Sequence, residues 1–304
     1  MFELVFLGTS ASAPSAHRGL PAQIVKHNEH RLLVDCGEGT QRQILQSGLG
    51  FRKLNRILVT HGHLDHILGI GGLLSTYLRW EAIDQLEIYA GMTALERISD
   101  LLFKVVIRGA VAPFPIDLVP IAEGPFIEEK DFVISAFPVN HRGADCYGFI
   151  FEEKGHRPFL AEKAEALGIP QGPWRRDLVN GKPTRLPDGR KVKPEEVLGN
   201  FEPGTKLVIV GDTGETRTLV PYCQHADAIV IEGTYLQEEK EMARQFAHLT
   251  ALDAAELAVK AEAKQLILTH ISRRYRDRDV EKEALPVFPN TVLARDFDQF
   301  TISK

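Results

Sequence analysis

Seven consecutive residues, Thr60-His61-Gly62-His63-Leu64-Asp65-His66, constrain this chain more than any other feature. They follow Arg56-Ile57-Leu58-Val59-Thr60, whose β-branched and apolar side chains read as a buried strand. A loop at a strand end aims alternate side chains at one point, so His61 and His63 can share one ion. Asp65 and His66 then face a second ion beside it. Imidazole with carboxylate suits zinc, with manganese or iron also admissible on ligand type alone. The bland alternative is a polar loop with surplus histidines. The chain holds 11 histidines, too few for this spacing to arise readily by chance.

Three more candidate ligands recur in one local context. Phe137-Pro138-Val139-Asn140 leads to His141, Leu207-Val208-Ile209-Val210-Gly211 to Asp212, and Leu266-Ile267-Leu268-Thr269 to His270. Strand ends on one side of a sheet are where α/β folds build ligand sites. A single histidine in such a place is ordinarily structural; three residues completing the loop's set argue for a two-ion centre, in which a carboxylate can bridge the cations and an imidazole cannot. Glu232 follows another apolar run, and His248 stands at the start of a helical pattern. Taken alone, they read equally as a loop acid and a helix-start residue. His17, His27, His30, His156 and His225 fit no such set.

Periodicity predicts strands at Leu4–Leu7, Ile24–Lys26, Arg31–Asp35, Ile57–Thr60, Leu86–Ala90, Phe132–Val139, Tyr147–Glu152, Lys206–Val210, Asp227–Ile231 and Leu266–Thr269. Helical patterns run through Gln41–Gln46, Ile67–Leu78 and Thr93–Phe103. Two series of strands with interleaved helices imply a layered α/β body. Residues 154–199 break the rhythm with Gly168-Ile169-Pro170-Gln171-Gly172-Pro173, Gly181-Lys182-Pro183 and Pro187-Asp188-Gly189-Arg190. Such Gly/Pro density favours a turn-rich excursion over a packed element, although Leu160–Leu167 has helical character. Long excursions of this kind are usually functional or disordered.

Charge sharpens that segment's meaning. Net charge is −5, yet Lys154 to Lys193 holds ten Lys/Arg against four Asp/Glu, a local +6 on an acidic body. This asymmetry points to an anionic partner for the segment. At 304 residues and 44% hydrophobic content, the chain can bury a large core. No apolar run approaches a membrane span, and the N-terminus lacks a signal-peptide pattern. Cys36, Cys146 and Cys223 are odd in number and far apart, which indicates neither a disulfide framework nor a CxxC zinc site. These features read as cytoplasmic.

The His-x-His-x-Asp-His run is the signature of the metallo-β-lactamase superfamily. From Phe6-Leu7-Gly8-Thr9 to His270-Ile271-Ser272-Arg273-Arg274-Tyr275, the chain resembles its ribonuclease Z branch, the tRNA 3′-processing endonucleases. The resemblance implies an α/β fold, the four-layer αββα metallo-β-lactamase sandwich, as a single domain over 1–304. An inserted flexible exosite arm at 154–199 would grip the tRNA body. Two Zn2+ per chain are implied, with Mn2+ as an alternative. His61, His63 and His141 would hold one ion; Asp65, His66 and His270 the other; Asp212 would bridge. Asp65, Glu232 and His248 would be the catalytic residues, with His248 helping to protonate the departing 3′ oxygen. Arg274 and Tyr275 match the family's His-x-Ser-x-Arg-Tyr run and would contact substrate, as would Arg175, Arg176 and Lys182 in the arm. The implied enzyme is a homodimeric endoribonuclease with no membrane partner. It removes the 3′ trailer of precursor tRNA, leaving a 3′-hydroxyl on the tRNA and a 5′-phosphate on the trailer.

Two departures from the family pattern stand out. Gly62 and Leu64 have exchanged places within the histidine loop, which leaves the ligands untouched. The early loop Pro14-Ser15-Ala16-His17-Arg18-Gly19 lacks the lysine and asparagine of the family's Pro-x-Lys-x-Arg-Asn. The rival readings are a glyoxalase-II-type thioesterase, a small-molecule phosphodiesterase on the same fold, and a non-catalytic RNA-binding relative. A thioesterase has no use for a basic arm, and a non-catalytic relative would be expected to have lost ligands.

Overall fold

The computed structural model describes residues 1–80 and 82–304. Its strands in chain order are β1 (Phe2–Gly8), β2 (Ala22–His27), β3 (His30–Val34), β4 (Arg56–Leu58), β5 (Leu86–Ala90), β6 (Ile116–Pro120), β7 (Gly124–Glu128), β8 (Phe132–Pro138) and β9 (Tyr147–Glu153), then β10 (Thr184–Arg185), β11 (Lys191–Val192), β12 (Lys206–Ile209), β13 (Ala228–Glu232), β14 (Leu266–Thr269), β15 (Thr291–Leu293) and β16 (Gln299–Ile302). Two seven-stranded mixed sheets result, ordered β16-β1-β2-β3-β4-β5-β6 and β15-β14-β13-β12-β9-β8-β7. In each sheet, neighbouring parallel strands (β3-β4-β5-β6 and β12-β13-β14-β15) adjoin an antiparallel half.

Side-chain alternation explains the layers. Leu32, Val34, Leu58, Leu207, Ile209, Ala228 and Val230 join Phe2, Phe6, Phe149 and Phe151 in a core shared by the two sheets. Their neighbours Leu33 and Ile57 face the helices covering the first sheet, including Ile70, Leu73, Leu74 and Tyr77. Val208, Ile229 and Ile231 face Ala254, Ala255, Leu257 and Ala258 on the second sheet's outer side. Both faces of each central strand are therefore buried, which is why these strands read as nearly unbroken apolar runs. The architecture is the αββα sandwich.

Local departures have physical causes. The pattern predicts one helix over Ile67–Leu78, but a short helix, Leu64–Ile67, precedes another at Gly69–Trp80. A Cβ on Gly69 would lie 2.0 Å from the Gly37 carbonyl oxygen, so the chain makes a close backbone approach at the junction. The Met92–Ser99 helix continues as a π-helix over Asp100–Ile107 rather than ending near Phe103.

The chain divides into two compact units, 1–152 with 205–304, and 153–204. The second unit differs from the turn-rich excursion that composition suggests. Helices Ala161–Ala166 and Pro173–Val179 and the β10-β11 hairpin enclose Ala164, Ile169, Leu178, Leu186, Val192 and Val197. Its glycines and prolines delimit elements instead of dissolving them. Gly172 has φ 110° directly before Pro173, which occupies the first helical turn where a missing N–H costs nothing.

Candidate metal centre

The structure brings all seven expected ligands together in the first unit, His61, His141, Asp212 and His270 just beyond strands β4, β8, β12 and β14, and His63, Asp65 and His66 at and in the short Leu64–Ile67 helix. Ligand atoms of His61, His63, His141 and Asp212 lie within 4.8 Å of one another, as do those of Asp65, His66 and His270. Asp212 Oδ2 is the hub. It stands 3.4 Å from His270 Nε2, 3.5 Å from His66 Nε2, 3.7 Å from His61 Nε2 and 3.9 Å from His141 Nε2. It reaches this place because Gly211 lets β12 run against the end of β4; a Cβ there would lie 2.8 Å from Thr60 Cβ. His270 turns inward through a left-handed backbone, φ 56°, which is unusual for a residue with a side chain.

Hydrogen bonding on the far side of each ring sets which nitrogen is offered. His66 Nδ1 donates to Asp35 Oδ2 at 2.8 Å, and His141 Nδ1 to the Ala247 carbonyl at 2.8 Å. Thr60 gives its hydroxyl proton to Asp35 and so accepts from His61 Nδ1 at 3.0 Å. Thr234 likewise bonds Glu232 and lies 2.9 Å from His270 Nδ1. All four rings thereby turn Nε2 toward the hub, the nitrogen a metal ion would take. His63 presents Nδ1, 2.9 Å from His61 Nε2 and 3.3 Å from His141 Nε2. His66 Nε2 and His270 Nε2 are buried without a hydrogen-bond partner among the described residues. Buried polar atoms left unpaired are costly, and a cation at the hub would satisfy both. The residues present therefore fit a two-ion centre.

Electrostatics agree with that fit. Burial, and for His61 the adjacent His66, lowers the proton affinity of His61, His63 and His141, which keeps these rings neutral. Burial works against the charged forms of Asp65 and Asp212, yet the surrounding imidazoles hold both carboxyls well below the ordinary range. For His66, Asp35 and Asp212 outweigh burial and raise its proton affinity. Such a cluster attracts positive charge.

Beside the hub, Glu232 accepts from the Thr213 amide at 2.7 Å, the Leu249 amide at 3.1 Å and His248 Nδ1 at 3.1 Å. Burial opposes charge on His248, but the Glu232 carboxylate lifts it to about 9. Local sequence fixes the ring's place. Ala247 ends the Lys240–Phe246 helix with φ 54°, and Thr250 caps the next helix through a box with Asp253.

Other expected site residues lie elsewhere. Arg274 pairs with Glu239 at 3.0 Å, and Tyr275 bonds the same carboxylate. In the second unit, Arg175 donates to the Ile169 carbonyl and lies over the Phe159 ring, while Arg176 and Lys182 are exposed. Sequence reasoning missed Asp35, Thr60 and Thr234 as orienting groups, although Asp35 also follows an apolar strand. It also missed Ser12, whose amide donates to Asp65 Oδ2 at 3.0 Å.

Comparison with known proteins places this geometry. Ribonuclease Z of Bradyrhizobium diazoefficiens is 45% identical over 302 residues, covering 99% of this chain and 100% of that protein. Ribonuclease Z of Bradyrhizobium sp. (strain ORS 278) is 47% identical with the same coverage. This chain belongs to the ribonuclease Z family. The human short-form tRNase Z structure superposes with a TM-score of 0.68 at 25% identity, covering 99% of both chains. The metallo-β-lactamase fold protein YhfI of Bacillus subtilis gives 0.71 at 18% identity over 99% of this chain and 100% of that one, a likeness of fold. The family model described as anti-Pycsar protein Apyc1 matches residues 2–160. That span includes the histidine loop and His141 and stops before Asp212, Glu232, His248 and His270. Ribonuclease Z relatives, by contrast, match the chain throughout.

Proposed function

We propose that this protein is a zinc-dependent endoribonuclease that cuts precursor tRNA on the 3′ side of the acceptor region. The products are a tRNA with a 3′-hydroxyl and a trailer with a 5′-phosphate. The observation that carries the reading is the Asp212-centred cluster with the Glu232–His248 pair directly beside it. His61, His63 and His141 would hold one ion and Asp65, His66 and His270 the other, with Asp212 shared. When bound, the ions supply Lewis acidity that activates water and offsets charge developing on the phosphate. Zinc suits this donor set, and manganese can occupy the same ligands.

The chain's own groups do the rest. Glu232, already accepting from backbone and side-chain donors, holds His248 in one orientation and keeps it protonated. His248 then delivers its proton to the departing 3′ oxygen, which would otherwise leave as an alkoxide. Asp35, Thr60, Thr234 and the Ala247 carbonyl keep the ligand rings aimed. Arg274 and Tyr275 hold a backbone phosphate at the mouth, and exposed cations of the 153–204 unit such as Arg176 and Lys182 hold the tRNA body. A homodimer is part of this reading, supported by Leu64 in the histidine run and by Leu68, Phe103 and Val105 after it, all of which are exposed.

Incubation with a 3′-extended tRNA transcript, followed by mapping of both new ends, tests the reading. One cut next to the acceptor region with a 3′-hydroxyl is expected. Cuts scattered along the RNA, or no cut with metal supplied, would remove it.

A further inference from the structure

Glu239 belongs to none of the ligand or proton-transfer groups, yet it touches two residues assigned to the substrate. One carboxylate oxygen lies 3.0 Å from Arg274 Nη1, and the other accepts from the Tyr275 hydroxyl. A carboxylate gripped by both oxygens on two neighbouring donors presents the same charge and bidentate geometry as the non-bridging oxygens of a phosphodiester. Arg274 and Tyr275 follow His270 by only four and five residues, and Glu239 precedes His248 by nine. The contact therefore joins the segment carrying a proposed ligand to the segment carrying the proposed proton donor. An open cleft of about 710 Å³ adjoins it, whose walls carry Arg274, Arg276 and Lys282 alongside the carboxylates of Glu238, Asp279 and Glu283.

Exposure decides what such a contact can do. The Arg274 side chain is 52% exposed and that of Glu239 28%. An ion pair this open to water contributes little to stability and can be exchanged for another anion at small cost. A buried pair would be locked.

We propose that Glu239 is a stand-in for an RNA phosphate: it holds Arg274 and Tyr275 in place without RNA and gives them up to a backbone phosphate when RNA binds. It is a positioning residue, and the inference rests on the reading of Arg274 and Tyr275 given above. Before RNA arrives, the two donors are kept ordered and the cleft's mouth is kept from holding stray anions. The cost is competition, because every bound RNA must displace the carboxylate.

The test compares wild type, Glu239→Gln, Arg274→Ala and the double variant for affinity toward a mature tRNA transcript across a salt series. Mature tRNA is already trimmed, so binding is read whether or not cleavage occurs. Glutamine keeps the length and an acceptor for Tyr275 but releases the Arg274 charge. Glu239→Gln should bind roughly two- to fivefold tighter, the worth of one exposed ion pair. Its salt dependence should steepen by up to about one in log–log slope, the equivalent of one phosphate contact. In the Arg274→Ala background the substitution should change neither quantity. Weaker or equal binding by Glu239→Gln, or a gain that persists without Arg274, would overturn the proposal. A purely structural role would instead lower the thermal unfolding midpoint of Glu239→Gln with no dependence on Arg274. Failure of wild type to cut 3′-extended tRNA, with the affinity shift intact, would count against the enzymatic reading alone.

Discussion

Asp35 Oδ2 lies 2.8 Å from His66 Nδ1, while the same carboxylate takes both the amide and the hydroxyl of Thr60. One buried acid thus orients both ends of the histidine loop. Asp35 has φ 56°, a conformation asparagine also tolerates, so Asp35→Asn changes the charge and acceptor capacity while sparing the backbone. Removing an orienting partner of a ligand histidine typically costs 10- to 100-fold in metal affinity. Competition against a graded chelator should show a loss of about that size, and an affinity equal to wild type would deny Asp35 the role.

Asp212→Ala should lower occupancy at both metal positions together. Oδ2 lies 3.4 to 3.7 Å from Nε2 atoms of both groups, and imidazole rings alone cannot offset repulsion between two dications. The measurement is elemental analysis after dialysis. A full pair of ions per chain in the variant would rule out a bridge.

Interior elements were legible in the sequence, and the four unread strands of the two main sheets are their four edges. β6, β7, β15 and β16 end the two sheets, while every expected strand lies inside them. An interior strand buries both faces and reads as a dense apolar run; an edge strand has fewer neighbours and tolerates Pro120 and Pro125. The proposed ligands were legible for a related reason: His141, Asp212 and His270 each follow an apolar strand, and the other four share one run after β4. Asp35 follows such a strand too, but without a neighbouring histidine it had no partner in sequence to mark it. Thr60, Thr234, the Ala247 carbonyl and the Ser12 amide act through hydrogen bonds that only the fold creates. The 153–204 unit was read as turns because its apolar cluster is small and its Gly/Pro residues are dense at element ends.

His248→Ala should reduce turnover on precursor tRNA by about a hundredfold to ten-thousandfold, the ordinary worth of general acid help. Metal content should stay at the wild-type level, because His248 Nδ1 is committed to Glu232. On a diester with a phenolate leaving group, whose oxygen departs without a proton, the loss should be much smaller. Equal losses on the two substrates would contradict proton donation.

Excision of the second unit tests whether it grips RNA apart from the chemistry. Glu153 and Gly204 are adjacent, since a Cβ on Gly204 would lie 2.1 Å from the Glu153 carbonyl oxygen, and Glu152 pairs with Lys206 across β9 and β12. A short Gly/Ser turn in place of residues 154–203 can therefore close the gap without disturbing either strand. The seven proposed ligands, Glu232 and His248 all lie outside the excised segment. Hydrolysis of a small phosphodiester should survive, while precursor tRNA cleavage should fall mainly through a raised KM. Lys182, Arg185, Lys191 and Lys193 are exposed, as is Arg176, so several phosphates would go without a cation at once. Each phosphate no longer neutralised by the protein takes about 0.7 to 0.9 off the log–log slope of affinity against salt, because fewer counterions are released. The truncated protein should thus bind tRNA more weakly and with a flatter salt dependence. An unchanged slope and affinity would place the RNA-binding surface on the acidic body instead.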